Sequence, residues 1–578
     1  MFKNNSILLL ILAIMLFIPA QFSLANDQCA KGDTNDDCVL GLEDAIHILQ
    51  VLSNFNYGIK VEQIGRYKTG AKFDDGGTEI TSYCPTSKRL YTTNGADKKV
   101  DIIDITDPKN PQKVMSIDPS EKWNDFGGLN SVAVKNGIVA IAAEHNDGDK
   151  SGMLMLYDTN GVFKTNIEVG ILPDMVTFTP NGEKIIVANE GEPFVDSNDK
   201  IRDPEGSVSI ITVNNDNLSN SSHQKIRFEG LSGNTATCLR TALQSSQIEA
   251  IHQDDKEQYR DFEPEYITIS DDSTTAYVSL QENNGIAVID LVNATLKSIN
   301  GLGYKDHSIE GNGLDAKKDG TGLIETINVR SLYMPDTVTS FRGNDGNTYV
   351  LTANEGDSRE LEDNQDNLLY ADCSADTDTN TISDVNVSNI NTSDFPKLSF
   401  LIDQGLTDTL TYNHLYLIGA RSFSIWNGND FSAPVFDSGD DFEKNMLKHF
   451  PEFFNAADDD LKIDSRSPKS GPEPEALAVG KIGEKVLAFI GLEKFGGIMI
   501  YDVTVPAKSK FLKYITNRNF EVNPDDLKED DNLDPTSAGD LGPEGMLFIS
   551  ADKSPNGKNL LISSNEVSGT ITIYDIDY

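Results

Sequence analysis

A unit of three short apolar runs recurs along most of this chain, and that recurrence constrains the fold more than any other feature. EPEYITIS, TAYVSLQENN and GIAVIDL form one copy between Glu263 and Leu291. GPEPEALAVG, VLAFIGLEKFGG and IMIYDV form another between Gly471 and Val503, and GPEGMLFIS, NLLISSNEVSG and TITIYDI close the chain. LPDMVTFTP, KIIVANEGEP and SVSIITV lie between Leu172 and Val213, preceded by copies that begin at EITSYCP and SVAVKNG. Runs this short, alternating in hydrophobicity and bounded by Gly, Asn, Asp or Pro, read as antiparallel strands joined in meanders. Meanders repeated in series build a β-propeller, one blade per unit.

The blade count turns on two incomplete units. MPDTVTSF with TYVLTANEGD lacks a nearby third strand, and GARSFSIWN with PVFDSG lacks a first pair. Joined, they make one blade with an insertion near 358–413 and give seven blades; kept apart, they give eight. The expected fold is therefore all-β: a seven-bladed propeller over 61–578, joined by a linker at 57–60 to a small N-terminal α-helical calcium-loop module. The last unit has only three strands. VEQIGRYKTG, just after the linker, has no partners of its own and is expected to supply the missing outer strand and close the ring. Long loops are expected near 219–260 and 358–413.

Before this region the chain reads as a leader and a cation loop. Lys3 precedes an apolar run from Ile7 to Ile18, and Ser23-Leu24-Ala25 fits a small-residue cleavage site. The run is short for a membrane span, so a signal peptide over 1–25 is expected, with an uncleaved anchor as the alternative. Residues 33–44, DTNDDCVLGLED, set Asp33, Asn35, Asp37, the Val39 carbonyl and Asp44 at the spacing of an EF-hand-like calcium loop. With the apolar helix spacing of Leu42 to Leu52, residues 26–56 resemble one dockerin-type repeat. Cys38 stands where a Gly usually makes the turn, and one repeat is half of what cohesin-binding dockerins carry. Secretion makes a Cys29–Cys38 staple available, as it does a Cys238–Cys373 bridge with Cys84 left as a buried thiol.

Charge narrows the partners. The 578 residues hold 48 Lys and Arg against 91 Asp and Glu, a net charge of −43. That balance excludes a phosphate-backbone partner and an anionic lipid surface. It suits a chain that holds cations. The expected partners are an anionic small molecule, or an extracellular polysaccharide or protein. No second segment is apolar enough to span a membrane.

The chemistry concentrates at one rim. In a meander blade the start of the inner strand and the end of the second strand lie together. Asp174, Glu265, Asp336, Glu475 and Glu544 occupy the first position; Glu144, Glu190, Glu282, Glu355, Glu493 and Glu566 occupy the second. Carboxylates gathered around a ring need cations, basic partners or shared protons. Two readings follow. In one, Glu190, Glu282, Glu355, Glu493 and Glu566 hold Ca2+ that activates water for attack on a phosphoester, with Glu265, Glu475, Glu544 and Arg421 as the candidate catalytic residues. Arg421 and Arg359 would form a fork for the anion, and Lys494 would stand on the same rim. In the other, the carboxylates bind backbone N–H groups and tie blades together. No nucleophile elbow, Walker loop or zinc helix occurs, and His145 beside Glu144 reads as a surface histidine.

Longer motifs carry a family resemblance. VANEGEP with DPEGSVSI, PEYITIS with YVSLQENN, MPDTVTSF with LTANEGDSRE, GARSFSIWN with VFDSGDDFE, and GDLGPEGMLFISADKSP with SSNEVSGTITIYD occur in order. The chain resembles the choice-of-anchor I family of secreted bacterial propellers, and is similar to the animal mesenchyme-specific cell-surface glycoproteins. The resemblance implies a secreted or periplasmic protein, with attachment to the cell surface by a C-terminal anchor in many members. This chain ends at Tyr578 in its last run and carries its accessory module at the N-terminus. Some members resemble alkaline phosphatases, and the propeller looks like that of calcium-dependent phytases. The resemblance thus implies cation-dependent phosphoester hydrolysis; the alternative is a non-catalytic propeller that binds a protein or polysaccharide.

Overall fold

A computed structural model describes residues 58–229, 258–362, 365, 368–374, 386–387, 390–408, 411–530 and 532–578. The leader, the calcium loop with Asp33, Asn35, Asp37, Val39 and Asp44, and Cys29, Cys38 and Cys238 lie outside the described residues. Residues 60–578 form one compact unit.

Among the described residues, seven four-stranded antiparallel sheets follow one another along the chain. Their innermost strands are Thr81–Cys84, Phe126–Lys135, Pro173–Phe178, Pro264–Ile269, Val338–Arg342, Pro474–Ile482 and Pro543–Ile549. Each inner strand neighbours the next, and Pro543–Ile549 returns beside Thr81–Cys84, so the ring closes on itself as a β-propeller. The closing sheet takes its outer strand from the start of the unit: Lys60–Lys68 pairs antiparallel with Thr570–Asp577. In the fifth sheet Thr348–Asn354 pairs with Ser422–Asn427, so the two incomplete sequence units belong to one sheet interrupted by an insertion.

The middle strands explain why the ring holds. In KIIVAN (Lys184–Asn189), Ile185 and Val187 pack against the second sheet, while Ile186 and Ala188 pack against the fourth. Successive side chains point to opposite faces, and here both faces are covered, so the run is apolar throughout. Burying each Ile or Val contributes about 1.5–3 kcal/mol.

Two loop expectations are corrected. Ser222–Ile226 completes the third sheet, so the expected loop at 219–260 begins after a strand that alternates poorly and is mostly exposed. The insertion of the fifth sheet is more than a loop. It contributes Phe400, Leu415 and Tyr412 to a core shared with Val329, and it carries short strands such as Glu360–Glu362 and Leu368–Ala371. A helix, Asp441–His449, follows that sheet and buries Phe442 and Met446. Among the described residues no helix is long and apolar enough to cross a membrane.

Candidate functional site: a carboxylate-lined channel mouth

The site is built from a repeated corner. Four inner strands open on a Pro–acid dipeptide, Pro173-Asp174, Pro264-Glu265, Pro474-Glu475 and Pro543-Glu544, and a fifth pair, Pro335-Asp336, stands just before the strand Val338–Arg342. Proline brings no N–H to the ladder. At four of these corners the pairing register slips directly after the proline. A bulge at a strand end re-aims the side chain it carries. The residue before the proline is left-handed at Leu172 (φ 46°), Met334 (44°), Glu473 (50°) and Gly542 (64°). For a non-glycine residue this conformation costs about 1–3 kcal/mol. Its carbonyl then accepts the N–H that ends the neighbouring strand: Glu190 N to Leu172 O at 2.8 Å, Glu493 N to Glu473 O at 2.8 Å, and Glu566 N to Gly542 O at 2.6 Å. Gly356 N donates to Met334 O at 3.1 Å beside Glu355. The backbone therefore brings Asp174 to Glu190, Asp336 to Glu355, Glu475 to Glu493 and Glu544 to Glu566.

Adjacent corners then converge. Carboxylate oxygens of Asp336, Glu355 and Glu475 all lie within 4.8 Å of one another, and so do those of Glu355, Glu473 and Glu493. Glu355 belongs to both groups. Glu355, Glu473 and Glu493 line a cavity of about 360 Å³ together with Asp357, Arg466 and Lys494. Arg466 is paired with Glu473, and Lys494 with Glu493 and, at 3.3 Å, Asp458.

These cations do not neutralise the ring. Burial, and then the neighbouring carboxylates, hold Glu190, Glu265, Glu355, Glu475 and Glu544 well above the usual carboxylate range. Burial also raises Glu493 and Glu282 to about 7, against the opposing pull of Lys494 and Arg359. Glu79, which opens the first sheet, is raised to about 8 by burial and then by Glu566 and Asp174. Glu144 and Glu566 are raised for the same first reason. Glu265 and Glu475 each keep a buried Oε2 with no hydrogen-bond partner. Struts between backbone N–H groups would not leave such oxygens bare. The donor set is oxygen throughout, which fits a hard divalent cation.

The two arginines expected to fork an anion are committed elsewhere. Arg421 donates to Glu443 Oε1 at 2.8 Å, Asp315 O at 2.9 Å, Ser467 O at 2.7 Å and Lys469 O, a clamp that joins the segment before the fifth sheet to the helix and the segment after it. Arg359 grips Glu263 with Nη2 at 2.5 Å and Nε at 3.3 Å. Both are buried, so the basic groups that line the cavity are Arg466, Lys469 and Lys494. His145 packs edge-on against Trp123, and its Nδ1 accepts the Asp147 N–H at 2.9 Å, a structural role. Cys84 is a buried free thiol. The sequence reading passed over Glu79, Glu263, Glu473 and Arg466. The doubled acids of EPEY and EPEA were the available signal for Glu263 and Glu473.

The chain has relatives among known proteins. The chain is 28% identical over 190 residues to Gigasin-3a of Magallana gigas, a match covering 31% of this chain and 64% of that one. It is 28% identical over 284 residues to the mesenchyme-specific cell surface glycoprotein of Strongylocentrotus purpuratus, covering 42% of this chain and 35% of that protein. The chain thus spans less than two thirds of either relative. Among solved structures it is similar to Kuenenia stuttgartiensis hydrazine synthase (12% identity, TM-score 0.40, 87% of this chain and 96% of that one). It is also similar to the Cps50 (Swd1) β-propeller domain of Myceliophteria thermophila (8% identity, TM-score 0.39, 88% and 99%). The choice-of-anchor I domain profile matches residues 79–506. That match runs from the first inner-strand corner into the sixth sheet, ending before its outer strand Lys510–Ile515, and the chain belongs to the choice-of-anchor I domain family.

Proposed function

We propose that this protein is an extracellular, seven-bladed propeller that holds Ca2+ at its channel mouth and hydrolyses a phosphoester there. One observation carries the reading: Glu355 belongs to two carboxylate groups, and with Glu473 and Glu493 it lines a cavity that also presents Arg466, Lys469 and Lys494. A bound divalent cation supplies charge neutralisation and an acidified water. Asp336, Glu355, Glu475, Glu473 and Glu493 would hold it. Lys494 and Lys469 would draw an anionic ester into the cavity, and the protonated carboxyls beside them would hand a proton to the leaving oxygen. Export through residues 1–25 and a further calcium ion in the 33–44 loop are part of the same proposal.

A second reading is a non-catalytic propeller that binds an extracellular protein or polysaccharide. It is favoured by the relative named as a cell surface glycoprotein and by the internal commitment of Arg359 and Arg421. The two separate on a hydrolysis panel of phosphomonoesters, phosphodiesters and phytate, run with calcium and then with EDTA. Calcium-dependent release that EDTA abolishes, and that Glu493→Gln loses, supports the hydrolase. No release from folded protein in either condition overturns it and leaves the binding propeller.

A further inference from the structure

A cavity of about 460 Å³ opens at the outer edge of the ring, between the sixth and seventh sheets. Tyr514 reaches it from the outer strand of the sixth sheet, Val61 and Gln63 from the closing strand Lys60–Lys68, and Tyr574 from the strand paired with that one. His449 ends the helix Asp441–His449, and Phe450 follows it into the lining. The cavity shares no residue with the one at the channel mouth.

The chain carries a net charge of −43, yet none of the described residues that line this cavity is a carboxylate, a lysine or an arginine. Three aromatic rings, Phe450, Tyr514 and Tyr574, stand with the amides of Gln63 and Asn517 and the hydroxyl of Thr516. We infer that this cleft binds a neutral polysaccharide, whose sugar rings present apolar C–H faces to the aromatic rings and hydroxyls to the amides. An anionic ligand meets no cation in this lining, and a cationic one meets no carboxylate. The volume lies within the range of about 300–1,000 Å³ usual for ligand pockets, and rings with a few convergent polar groups are their usual lining.

The lining is held in place by its own contacts. Tyr514 donates its hydroxyl to Gly496 O at 2.6 Å, and its ring meets Phe450 edge-on, with centroids 6.0 Å apart at 84°. Phe450 packs in turn on Phe520 at 4.9 Å and Phe495 at 5.9 Å. Asn517 Nδ2 donates to Gln63 Oε1 at 3.2 Å and to Asp540 Oδ2, while its Oδ1 accepts the Asp540 N–H at 2.9 Å. Asn517 thus orients the Gln63 amide and leaves the Gln63 Nε2 as a donor for a ligand. Tyr574 supplies the observation that points outward. It stands opposite Gln63 in the strand pairing and is 8% exposed, and its hydroxyl makes no hydrogen bond among the described residues. Hydroxyls so enclosed normally have a partner. This one lines the cavity and is not sealed off, so its partner enters through the cavity, as water or as a ligand hydroxyl. Burial keeps the phenol protonated and able to donate. The inference rests on the polysaccharide-binding reading and is independent of the hydrolase.

Affinity electrophoresis tests it, in native gels containing dextran, laminarin, glucomannan or xyloglucan, with polygalacturonate as the charged control. At least one neutral polymer should slow the protein, and polygalacturonate should not. Gln63→Ala and Tyr574→Phe should each weaken the retardation several-fold, and Tyr514→Ala should abolish it. Tyr514→Phe, which keeps the ring, should retain most of it, separating lost stacking from lost folding. EDTA and Glu493→Gln should stop any hydrolysis and leave the retardation in place, so the two sites fail separately. Retardation by none of the neutral polymers overturns the site. So does retardation that persists when Gln63→Ala, Tyr574→Phe and Tyr514→Ala are combined, or that disappears with EDTA.

Discussion

Arg66 Nη2 lies 2.6 Å from Asp540 Oδ1, a bridge between the strand that opens the compact unit and the loop that leads into its last sheet. Arg66 also donates to Gly539 O at 2.9 Å, and Asp540 accepts the hydroxyls of Thr570 at 2.8 Å and Thr572 at 2.6 Å. The pair thus fastens the ring closure from the side chains, where Lys60–Lys68 already fastens it from the backbone. Asp540 is nearly enclosed, so losing its cation strands a buried charge. Arg66→Ala should lower the stability measured by urea unfolding by about 3 kcal/mol. Arg66→Ala combined with Asp540→Asn should cost less than the sum of the single changes.

The carboxylate ring sets a pH dependence opposite to that of most acidic proteins. Glu79 is raised to about 8, Asp174 to about 7 and Asp336 to about 6, each first by burial. A carboxyl raised in the folded state binds more protons folded than unfolded between its two pKa values. Its stabilising contribution is present below the unfolded value and is lost as pH rises through the folded one. Metal-free protein should therefore melt at progressively lower temperature as pH climbs from about 5 to about 8. Calcium should restore the loss, most strongly at the alkaline end, where protons no longer compete for the oxygens. Melting curves with EDTA and with calcium check both directions.

Arg421 and Glu493 should respond in opposite ways. The Arg421 fork binds the Glu443 carboxylate on the helix and three backbone carbonyls, Asp315 before the fifth sheet and Ser467 and Lys469 after the helix. Lysine cannot reproduce that geometry, so Arg421→Lys should cost about 3 kcal/mol in unfolding while any turnover per folded molecule persists. Glu493→Gln removes one charge from a crowded group. It should leave metal-free stability equal or higher and should abolish calcium-dependent turnover.

The fold was legible because each blade repeats the same local instruction. KIIVAN, TAYVSLQENN and NLLISSN end on polar residues at the same rim, and Pro–acid pairs mark the inner strands. The joining of MPDTVTSF to GARSFSIWN could be read from what each half lacked, and the pairing of Thr348–Asn354 with Ser422–Asn427 bears that out. Ser222–Ile226 was missed because an outer, solvent-facing strand has little apolar pattern to display. At the rim, periodicity located Asp174, Glu265, Glu475 and Glu544, but it could not say which cation faces which acid. Arg421 and Arg359 sit in motifs that read as rim loops, yet their partners come from Glu443 and Glu263, distant in sequence. Glu79 escaped notice because no proline precedes it.

Direct calcium titration of metal-free protein by calorimetry tests the central claim, using Asp33→Ala with Asp37→Ala to silence the N-terminal loop. Saturable binding that releases protons, tightens from pH 6 to pH 8, and weakens in Glu355→Gln is the result predicted. No saturable heat at either pH, from protein whose melting curve shows it folded, would mean that the buried carboxylates share protons alone and that the channel mouth holds no cation.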